Sequence, residues 1–458
     1  MAIDRLTPED QVMLWPDAIW PQDIGALAFL DGGGFNLDCV NEVVASRLHL
    51  VPRLRQLLRV PPPGLGSPLW VDDPDFDLRR HIGTAVVQSP GGEAEVLVAV
   101  EKLRARRLDR ARPLWEMWFL TGLRDGRVAM FIRTHHSVAD GIAGVATLAS
   151  LLDVEPDITV AAPPPWSPEP APTDAALLAD AAEARRARRW RRISSLAHPV
   201  ATARRAFGVL PALRELFADP GLPPTSLDCR VGPRRAAACV RTSLDEVKNV
   251  ARASESKVND VLLTAMAGGL HALLGSRGEA GVGAVMRVYV PVSLRHGQYA
   301  GARGNEIAQM AVPVPVGEPD PMRRLRAIAA ETRKRKARVR PSVGTLPFTG
   351  LAGRIALKLI ERQRVNVESA DLPGPPVPMY LAGMRILELF PLLPLIGRVS
   401  LGVGALSYAG QFNLGIVADG DGYPDLDVFV AGVEEDLRAL ALEASVVQSA
   451  TAAAAVSG

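Results

Sequence analysis

The chain has 458 residues, of which 48% are hydrophobic, 22% charged and 5% aromatic, a composition typical of globular proteins. This length exceeds one ordinary core and predicts two domains, or two halves that share a site. The net charge of +2 and the few aromatic residues exclude a protein-wide field or a stacking surface for nucleic acid. Cys39, Cys229 and Cys239 lack metal-ligand spacing and are odd in number, so we expect a reducing cytoplasm and no disulfide framework.

The first third of the chain mixes strand-like and helix-like segments. Residues 25–30 (GALAFL) and 127–136 (RVAMFIRTHH) predict strands, whereas residues 93–108 (EAEVLVAVEKLRARRL) and 141–152 (GIAGVATLASLL) predict helices. The second strand and second helix are joined by a short loop that carries residues 135–141. Such loops are where α/β folds usually display reactive groups.

A proline-rich segment, residues 155–174, can hold no regular element and is interpreted as a linker. We therefore predict an N-terminal domain over residues 1–155, a linker and basic helix over residues 156–210, and a C-terminal domain over residues 211–458.

The basic helix holds six arginines between Arg185 and Arg192. It is either a solvated, exposed helix or a membrane-surface helix that reaches anionic headgroups. In the second case the contacting residues would be Arg188, Arg189, Trp190, Arg191 and Arg192.

The second half resumes the alternation of strands and helices. Strands are predicted at residues 234–244, 285–295 and, as a pair, 406–419. Helices are predicted at residues 244–254, 258–275 and 424–445, and the basic run 331–340 is expected on a solvated helix face.

No segment predicts a leader or a membrane span. The N-terminus carries acidic residues early and lacks the apolar run of a signal peptide, so we expect no export by that route. Residues 399–418 are uncharged and long enough to span a bilayer, but Gln411, Asn413 and several glycines would be costly in hydrocarbon. We interpret this stretch as strands within a globule.

The run from His135 to Gly141, HHSVADG, combines rare residue types in a fixed order. Transfer of an acyl group from a thioester to a hydroxyl needs a base that is free at neutral pH yet can hold a proton, as imidazole, with a pKa of about 6.5, can. Adjacent side chains on an extended segment point opposite ways, so only one of His135 and His136 can face a given cavity. Asp140 could orient that histidine or pair with an arginine, and Gly141 permits a close approach because it has no Cβ.

Other interpretations of the motif are less favoured. A metal site would need a cysteine or a third histidine nearby, and we expect no metal. A serine hydrolase would need a G-x-S-x-G run before a helix, which the chain lacks. Two histidines that only stabilise the loop through hydrogen bonds remain an alternative.

Together with these residues, further motifs make the chain resemble the bacterial wax ester synthase/acyl-CoA:diacylglycerol acyltransferases, relatives of chloramphenicol acetyltransferase and of peptide synthetase condensation domains. The resemblance runs in order from about Leu6 to the final helix. Its motifs are HHxxxDG, Pro113-Leu114-Trp115, Asn259-Asp260, PVSLR ending at Arg295, Gly304-Asn305, and DLPGPPVPMYLAG from Asp371.

The resemblance implies an α/β fold of the α+β type, with two chloramphenicol-acetyltransferase-like domains, mixed sheets and a substrate tunnel at their interface. It implies that His136 is the catalytic base, that His135 and Gly141 are structural, and that Asp140 pairs with Arg295. Substrate-site candidates are Pro113, Leu114, Trp115, Asn259, Asp260, Gly304 and Asn305. The chain departs from the family pattern at Asn366, which lies upstream of its usual place before the proline run.

The implied activity is transfer of a long-chain acyl group from acyl-CoA to diacylglycerol, which forms triacylglycerol. Acyl-CoA is a substrate, and we expect no cofactor and no nucleic-acid partner. Diacylglycerol is favoured over a long-chain alcohol because residues 379–401 are broadly apolar and could line a wide lipid entry. We expect a cytoplasmic enzyme that associates peripherally with the inner face of the membrane or with lipid inclusions.

Three alternatives stay open: a wax ester synthase that uses long-chain alcohols, a condensation-type acyltransferase, and a non-catalytic lipid-surface protein. The oxyanion donor would be a backbone N–H near Gly141 or the side chain of Asn259.

Overall fold

The computed structural model describes residues 3–14, 16–139, 141–157, 160, 162–197, 224–279, 281–293, 307–336 and 365–456. Within them the α-helices are α1 (Pro8–Leu14), α2 (Leu37–Arg47), α3 (Glu93–Arg104), α4 (Gly141–Ala149), α5 (Asp174–Ala197), α6 (Leu244–Ala253), α7 (Val258–Ser276), α8 (Pro321–Lys336) and α9 (Leu426–Val456). The strands are β1 (Asp23–Leu30), β2 (Gln56–Arg59), β3 (Leu69–Asp72), β4 (Ile82–Val86), β5 (Trp115–Thr121), β6 (Val128–His135), β7 (Arg235–Ser243), β8 (Met286–Ser293), β9 (Ile307–Val314), β10 (Val367–Pro373), β11 (Tyr380–Leu381), β12 (Met384–Leu392), β13 (Leu401–Tyr408) and β14 (Gln411–Asp419).

Two mixed six-stranded sheets organise the described chain, and this confirms the predicted fold class. The first sheet has the order β11-β12-β1-β6-β5-β4, and the second has the order β7-β14-β13-β10-β8-β9. In the first sheet β4 and β5 run parallel and the other neighbours run antiparallel. In the second sheet β10 runs parallel to both β13 and β8.

The first sheet takes strands from both sides of the boundary predicted at residue 155. Strand β12 pairs antiparallel with β1, with Gly25 opposite Leu392. In sequence order, the chain returns to the first sheet after it has supplied β7, β8, β9 and β10 to the second sheet. On its way β12 crosses the second sheet over Gly404 and Gly415, which face each other on β13 and β14. A Cβ on Gly415 would collide with the Pro391 carbonyl, and one on Gly404 would lie 2.9 Å from the Pro391 ring.

Strands β11 and β12 overturn the predicted lipid entry at residues 379–401. Most of these residues are buried, including Leu381, Phe390 and Leu392, which have no accessible surface. They belong to the cores of the first sheet because alternate side chains of β12 face opposite sides of it. This segment therefore gives no reason to prefer one acceptor alcohol.

Helix α7 is the one helix of the described chain that is long and apolar enough to cross a membrane, but 72% of its apolar 18-residue stretch is buried inside the protein. It packs against α9 at close range, since a Cβ on Gly432 would lie 2.8 Å from the Ala272 Cβ and 2.9 Å from the Gly269 Cα. We interpret α7 as the central core helix of the second half.

The uncharged stretch at residues 399–418 forms the hairpin of β13 and β14, as predicted. The described residues of the proline-rich segment before Asp174 hold no helix or strand, and α5 begins at Asp174, the last residue of that segment. The helix predicted at residues 93–108 ends earlier, at Arg104, and the C-terminal helix extends further than predicted, to Val456.

The crossing of β12 gives a stability prediction. We expect Gly415→Ala to lower the free energy of unfolding by about 1–3 kcal/mol or more, because a backbone carbonyl cannot rotate away from the new methyl group. Gly33→Ala is the matched control, since nothing lies within 4 Å of its Cβ position. Urea unfolding measures both, and equal stability of the two variants would contradict this account of the crossing.

Candidate functional site

The first motif histidine, His135, is the last residue of β6 and is 2% exposed. Its Nδ1 accepts a hydrogen bond from the Ser137 backbone N–H at 3.1 Å and lies 2.7 Å from the Ser137 hydroxyl. Its Nε2 lies 3.4 Å from Asp17 Oδ1, within ion-pair distance but too poorly aligned for a hydrogen bond. Both ring nitrogens thus face protein groups.

Asp17, which the sequence analysis missed, connects the two motif histidines. Besides its ion-pair contact with His135, its Oδ1 accepts a hydrogen bond from the Gln22 backbone N–H at 3.0 Å, and the Gln22 carbonyl in turn accepts the His136 backbone N–H at 2.8 Å. Arg110 pairs with Asp17 Oδ2 at 2.5 Å. No spacing or motif in the sequence marks Asp17, because its partners come together only in the folded chain.

The charge of Asp17 is strongly stabilised. Burial alone would raise the pKa of this carboxyl, but interactions with His135, the Gln22 backbone and Arg110 outweigh burial and hold the pKa well below its usual value. The site therefore contains a fixed negative charge directly behind the motif.

His136 differs from His135 in its surroundings. It follows the end of β6, its side chain is only partly buried, and its backbone is held by the bond to Gln22. His136 is thus the more accessible of the two histidines, on a backbone that is fixed from behind.

Strand β6 is also anchored by a buried arginine two residues before His135. Arg133 is 1% exposed, and its guanidinium pairs with Asp23 of β1 at 3.2 Å and with Glu116 of β5 at 2.9 Å. It also donates to the Arg106 carbonyl, 2.6 Å away, beyond the end of α3. Burial raises the pKa of the Asp23 carboxyl, and the Arg133 charge opposes that rise. A buried charge of this kind is tolerated because it has several partners.

The motif loop meets the second half of the chain at Gly141. A Cβ on Gly141 would lie 2.9 Å from a terminal methyl group of Leu372 on β10. Helix α4 therefore begins against the second sheet, and the motif lies where the two halves meet.

The predicted elements Pro113, Leu114 and Trp115 support the motif from the core. All three residues are buried. The Leu114 carbonyl accepts the His135 backbone N–H at 3.0 Å, and the Trp115 Nε1–H donates to the Leu54 carbonyl at 2.8 Å. The segment shapes the site through its backbone and its packing.

Asn259 and Asp260 lie in the first turn of α7 and have different environments. Asp260 is 2% exposed, and its carboxylate accepts the Lys257 backbone N–H at 2.9 Å and the Thr332 hydroxyl at 2.7 Å. It therefore fixes the start of α7 against α8. The Asn259 Nδ2 is buried and has no hydrogen-bond partner among the described residues.

Four predicted site residues, Asp140, Arg295, Gly304 and Asn305, lie outside the described residues. The predicted pairing of Asp140 with Arg295 therefore stays a prediction. Among residues that the structure does describe, no group of three or more histidine, cysteine or acidic side chains could hold a metal ion.

A cavity of about 270 Å³ lies away from the motif, near the other ends of β1 and β6. Its charged groups neutralise one another: Arg241 pairs with Glu388 at 2.6 Å, and Arg127 pairs with Asp125 at 2.6 Å. Since Arg241 lies on β7 of the second sheet and Glu388 on β12 of the first, this cavity is a feature of the contact between the two sheets.

The environment of Asp17 gives a pH prediction. The pKa of Asp17 is lower in the folded protein than in the unfolded chain, so its charge stabilises the fold at neutral pH, and this contribution is lost as the pH falls below about 4. We expect Asp17→Asn to lower the free energy of unfolding at neutral pH, and its difference from wild type to shrink in acid. Urea unfolding over a pH series measures this; Asp75→Asn, at an exposed position, is the control. A difference that does not change with pH would contradict the assignment.

Two family models cover most of the chain. Residues 6–262 match the wax ester synthase/diacylglycerol acyltransferase catalytic domain, and residues 303–441 match the C-terminal domain of the same family. The chain is 32% identical over 431 residues to a Mycobacterium tuberculosis protein named probable diacylglycerol O-acyltransferase, across 91% of this chain and 90% of that protein.

Solved structures share the fold. A wax ester synthase/diacylglycerol acyltransferase from Marinobacter aquaeolei superposes with a TM-score of 0.67 at 23% identity, over 96% of this chain and all of that one. The starter condensation domain of rhizomide synthetase superposes with a TM-score of 0.60 at 13% identity, over 97% and 95% of the two chains. The chain belongs to the wax ester synthase/diacylglycerol acyltransferase family and is an acyl-CoA-dependent O-acyltransferase.

Proposed function

We propose that the enzyme transfers a long-chain acyl group from acyl-CoA to the hydroxyl of diacylglycerol, with His136 as the general base. The acceptor is inferred from relatives that are named diacylglycerol O-acyltransferase and that match this chain over 90% of their length. A long-chain alcohol offers the same nucleophile, and no described residue favours it.

The observation that carries the proposal is the unequal environment of the two motif histidines. His135 is buried with both ring nitrogens against protein groups, whereas His136 is partly exposed on a fixed backbone. A general base must reach the proton that it removes and must be held in position while it does so. Of the two, only His136 meets the first requirement, and the Asp17 and Gln22 contacts supply the second.

The proposed reaction proceeds without an acyl-enzyme. His136 accepts the hydroxyl proton while the alcohol oxygen attacks the thioester carbonyl carbon, which forms a tetrahedral oxyanion. The carbon–sulfur bond then breaks, the ester forms, and the imidazolium returns the proton to the thiolate of CoA. The hydroxyl proton thus ends on the thiol of CoA, and His136 returns to its neutral form.

The contact between Gly141 and Leu372 supports a protected reaction site. Apolar groups from both halves meet beside the motif, and exclusion of water would limit hydrolysis of the thioester. We infer that the interface near Leu372 forms a wall of the predicted substrate tunnel.

Substitution of the two histidines tests the assignment. We expect His136→Ala to stay folded and to lower kcat by about 10²–10⁴-fold, because removal of a general base costs that much. His135→Ala should instead lower the unfolding midpoint. Radiolabelled acyl-CoA, incubated with diacylglycerol and a panel of alcohols, measures turnover and acceptor choice together.

His49→Ala, at an exposed histidine, is the control and should keep wild-type turnover. A folded His136→Ala enzyme with ordinary activity would contradict the role of His136. Wild-type enzyme that acylates a long-chain alcohol faster than diacylglycerol would contradict the proposed acceptor.

We further propose that α5 attaches the enzyme to an anionic lipid surface. Its first half docks on the protein, with Leu177 fully buried and Asp180 paired with Arg5 at 2.7 Å.

The second half of α5 presents Trp190, 71% exposed, next to the exposed Arg189. Arg188, Arg191 and Arg192 belong to the same helix, although their side chains lie outside the described set. An indole flanked by cations suits the boundary between headgroups and acyl chains.

Vesicle binding tests the role of α5. Since each cation near an anionic surface contributes about 1 kcal/mol, we expect Arg189→Gln/Trp190→Ala to weaken binding to phosphatidylglycerol vesicles at least about fivefold. Co-sedimentation at two salt concentrations measures this. Val98→Ala, an exposed apolar position on α3, should bind like wild type. Unchanged binding by the double variant would exclude α5 as the attachment surface.

A further inference from the structure

We propose that Glu368 of β10 selects the acceptor, because its carboxyl group donates a hydrogen bond to an ester carbonyl of diacylglycerol inside the predicted substrate tunnel. The inference rests on the proposed function and deepens it, since it names the group that distinguishes diacylglycerol from a plain long-chain alcohol. Glu368 lies outside the sequence motifs, three residues before the one that begins at Asp371.

The side chain of Glu368 points from the second sheet towards the first. Successive side chains of a strand alternate between the two faces of its sheet, and β10 pairs with β13 without a bulge, so Glu368 shares a face with Ala370 and Leu372. Val367 faces the opposite way, into the core around α7. Leu372 instead belongs to the core of the first sheet and meets Gly141. Glu368 therefore faces the interface between the two sheets.

A neighbouring contact places Glu368 near the first residue of the motif. Glu368 lies opposite Gly402 on β13, and a Cβ on Gly402 would lie 3.2 Å from the Leu393 Cβ. Leu393 directly follows β12, at the end of the first sheet where Asp23 of β1 lies opposite His135. The part of the second sheet that carries Glu368 thus packs on the end of the first sheet that carries the motif histidines.

The last residue of the motif meets the same strand further along. Leu372 follows Glu368 by four residues, about 13 Å at the spacing of a strand, and contacts Gly141. Within α4, a Cβ on Gly144 would lie 3.4 Å from Ile24 of β1, so the helix covers the first sheet beside this contact. The motif and the stretch of β10 from Glu368 to Leu372 therefore border the same space between the sheets.

Glu368 lies deep in the protein and still borders open space. Desolvation raises the pKa of its carboxyl to about 7, and a rise of this kind requires protein around the group. Nevertheless part of the residue's surface remains accessible. A side chain that is surrounded by protein and yet has room for water beside it lines an internal cavity, which is the position expected of a tunnel residue.

The carboxyl group of Glu368 has no partner within the described part of the chain. No side chain or backbone group there donates a hydrogen bond to it, and desolvation is the one influence on its pKa. Tyr289 lies directly opposite on β8; burial raises the pKa of its phenol, and the nearby charge of Glu368 adds to that rise. A buried polar group without a partner is costly, and a bound substrate can supply the missing hydrogen bond.

Ester carbonyls are the polar groups that this carboxyl would meet in a lipid acceptor. A protonated carboxyl donates one hydrogen bond, and a carbonyl oxygen accepts it. Diacylglycerol has an ester carbonyl at each acylated position, a few bonds from its free hydroxyl, whereas a long-chain alcohol has only the hydroxyl that reacts. The alcohol leaves Glu368 buried without a partner, so the free-energy cost falls on that acceptor alone.

The protonation of Glu368 makes this selection depend on pH. With a pKa of about 7, the carboxyl is largely protonated at about pH 6 and largely ionised at about pH 8.5, and a carboxylate cannot donate. The preference for diacylglycerol should therefore fall as the pH rises through about 7.

Other groups around Glu368 do not produce the same effect. The titratable and charged groups on the elements around it are Arg287 and Tyr289 of β8, Asp371 of β10, Arg398 after β12, Tyr408 of β13, and His136 of the motif. The arginines stay charged, and the tyrosines stay protonated because their pKa values are raised. Asp371 faces the other side of the sheet. Protonation of His136 affects both acceptors alike, since both present a hydroxyl to it.

Competition between diacylglycerol and a long-chain alcohol for radiolabelled acyl-CoA tests the proposal. We expect Glu368→Leu to lower the ratio of diacylglycerol to alcohol turnover at least about fivefold at about pH 6, because a hydrogen bond made with one acceptor is lost. Glu368→Gln, whose amide still donates, should keep most of the wild-type ratio and remove its pH dependence. Glu42→Leu, at an exposed carboxyl on α2, is the control and should behave as wild type.

Circular dichroism verifies that each variant is folded. Since the ionised carboxyl is costly to bury, Glu368→Gln should be at least as stable as wild type at about pH 8.5. If Glu368→Leu does not fold, the pH dependence of the wild-type ratio and its loss in Glu368→Gln decide the matter.

An unchanged ratio in folded Glu368→Leu would overturn the proposal. So would an equal loss of turnover with both acceptors, which indicates a structural role, or a raised KM for acyl-CoA at an unchanged ratio, which indicates that the carboxyl serves the thioester substrate. Failure of the proposed function is separate. Wild-type enzyme that prefers the alcohol contradicts the proposed acceptor, whereas a wild-type preference for diacylglycerol that Glu368→Leu retains contradicts only the role of Glu368.

Discussion

The site depends on the crossing of β12 over the glycine pair of the second sheet. Gly404 and Gly415 face each other in adjacent strands, and the absence of both side chains lets the Pro391 backbone pass in contact with them. Along this close passage β12 reaches β1 and joins the first sheet. Strand β1 is the direct neighbour of the motif strand β6, so the position of His136 depends on a contact far away in sequence.

Around β6, buried charged side chains hold the backbone in place, although the burial of a charge is itself unfavourable. Arg133 connects three elements through Asp23, Glu116 and the carbonyl groups after α3, and Asp17 holds His135 and the backbone behind His136. Such groups contribute little net stability when they are well paired, but loss of one partner is costly. This arrangement suits the proposed role of His136 as general base, because the buried Asp17 and Gln22 hold the backbone of a histidine whose side chain is more accessible.

The chain is nearly neutral as a whole, and its positive charge acts locally. On α5, the exposed Arg189 directly precedes the exposed Trp190, which suits the proposed contact with an anionic lipid surface.

The sequence by itself determined the family, the mixed α/β class and the motif, since rare residues in a fixed order and hydrophobic periodicity are local properties. Helices α3, α6 and α7 and strands β1, β6 and β14 are found where that periodicity predicts them. Tertiary structure alone decided the return of β12 to the first sheet, the roles of Asp17 and Arg133, and the burial of residues 379–401, which had been predicted to form a lipid entry. The physical reason is that these features depend on partners more than a hundred residues apart or on which side of a sheet a strand joins, and local periodicity contains neither kind of information.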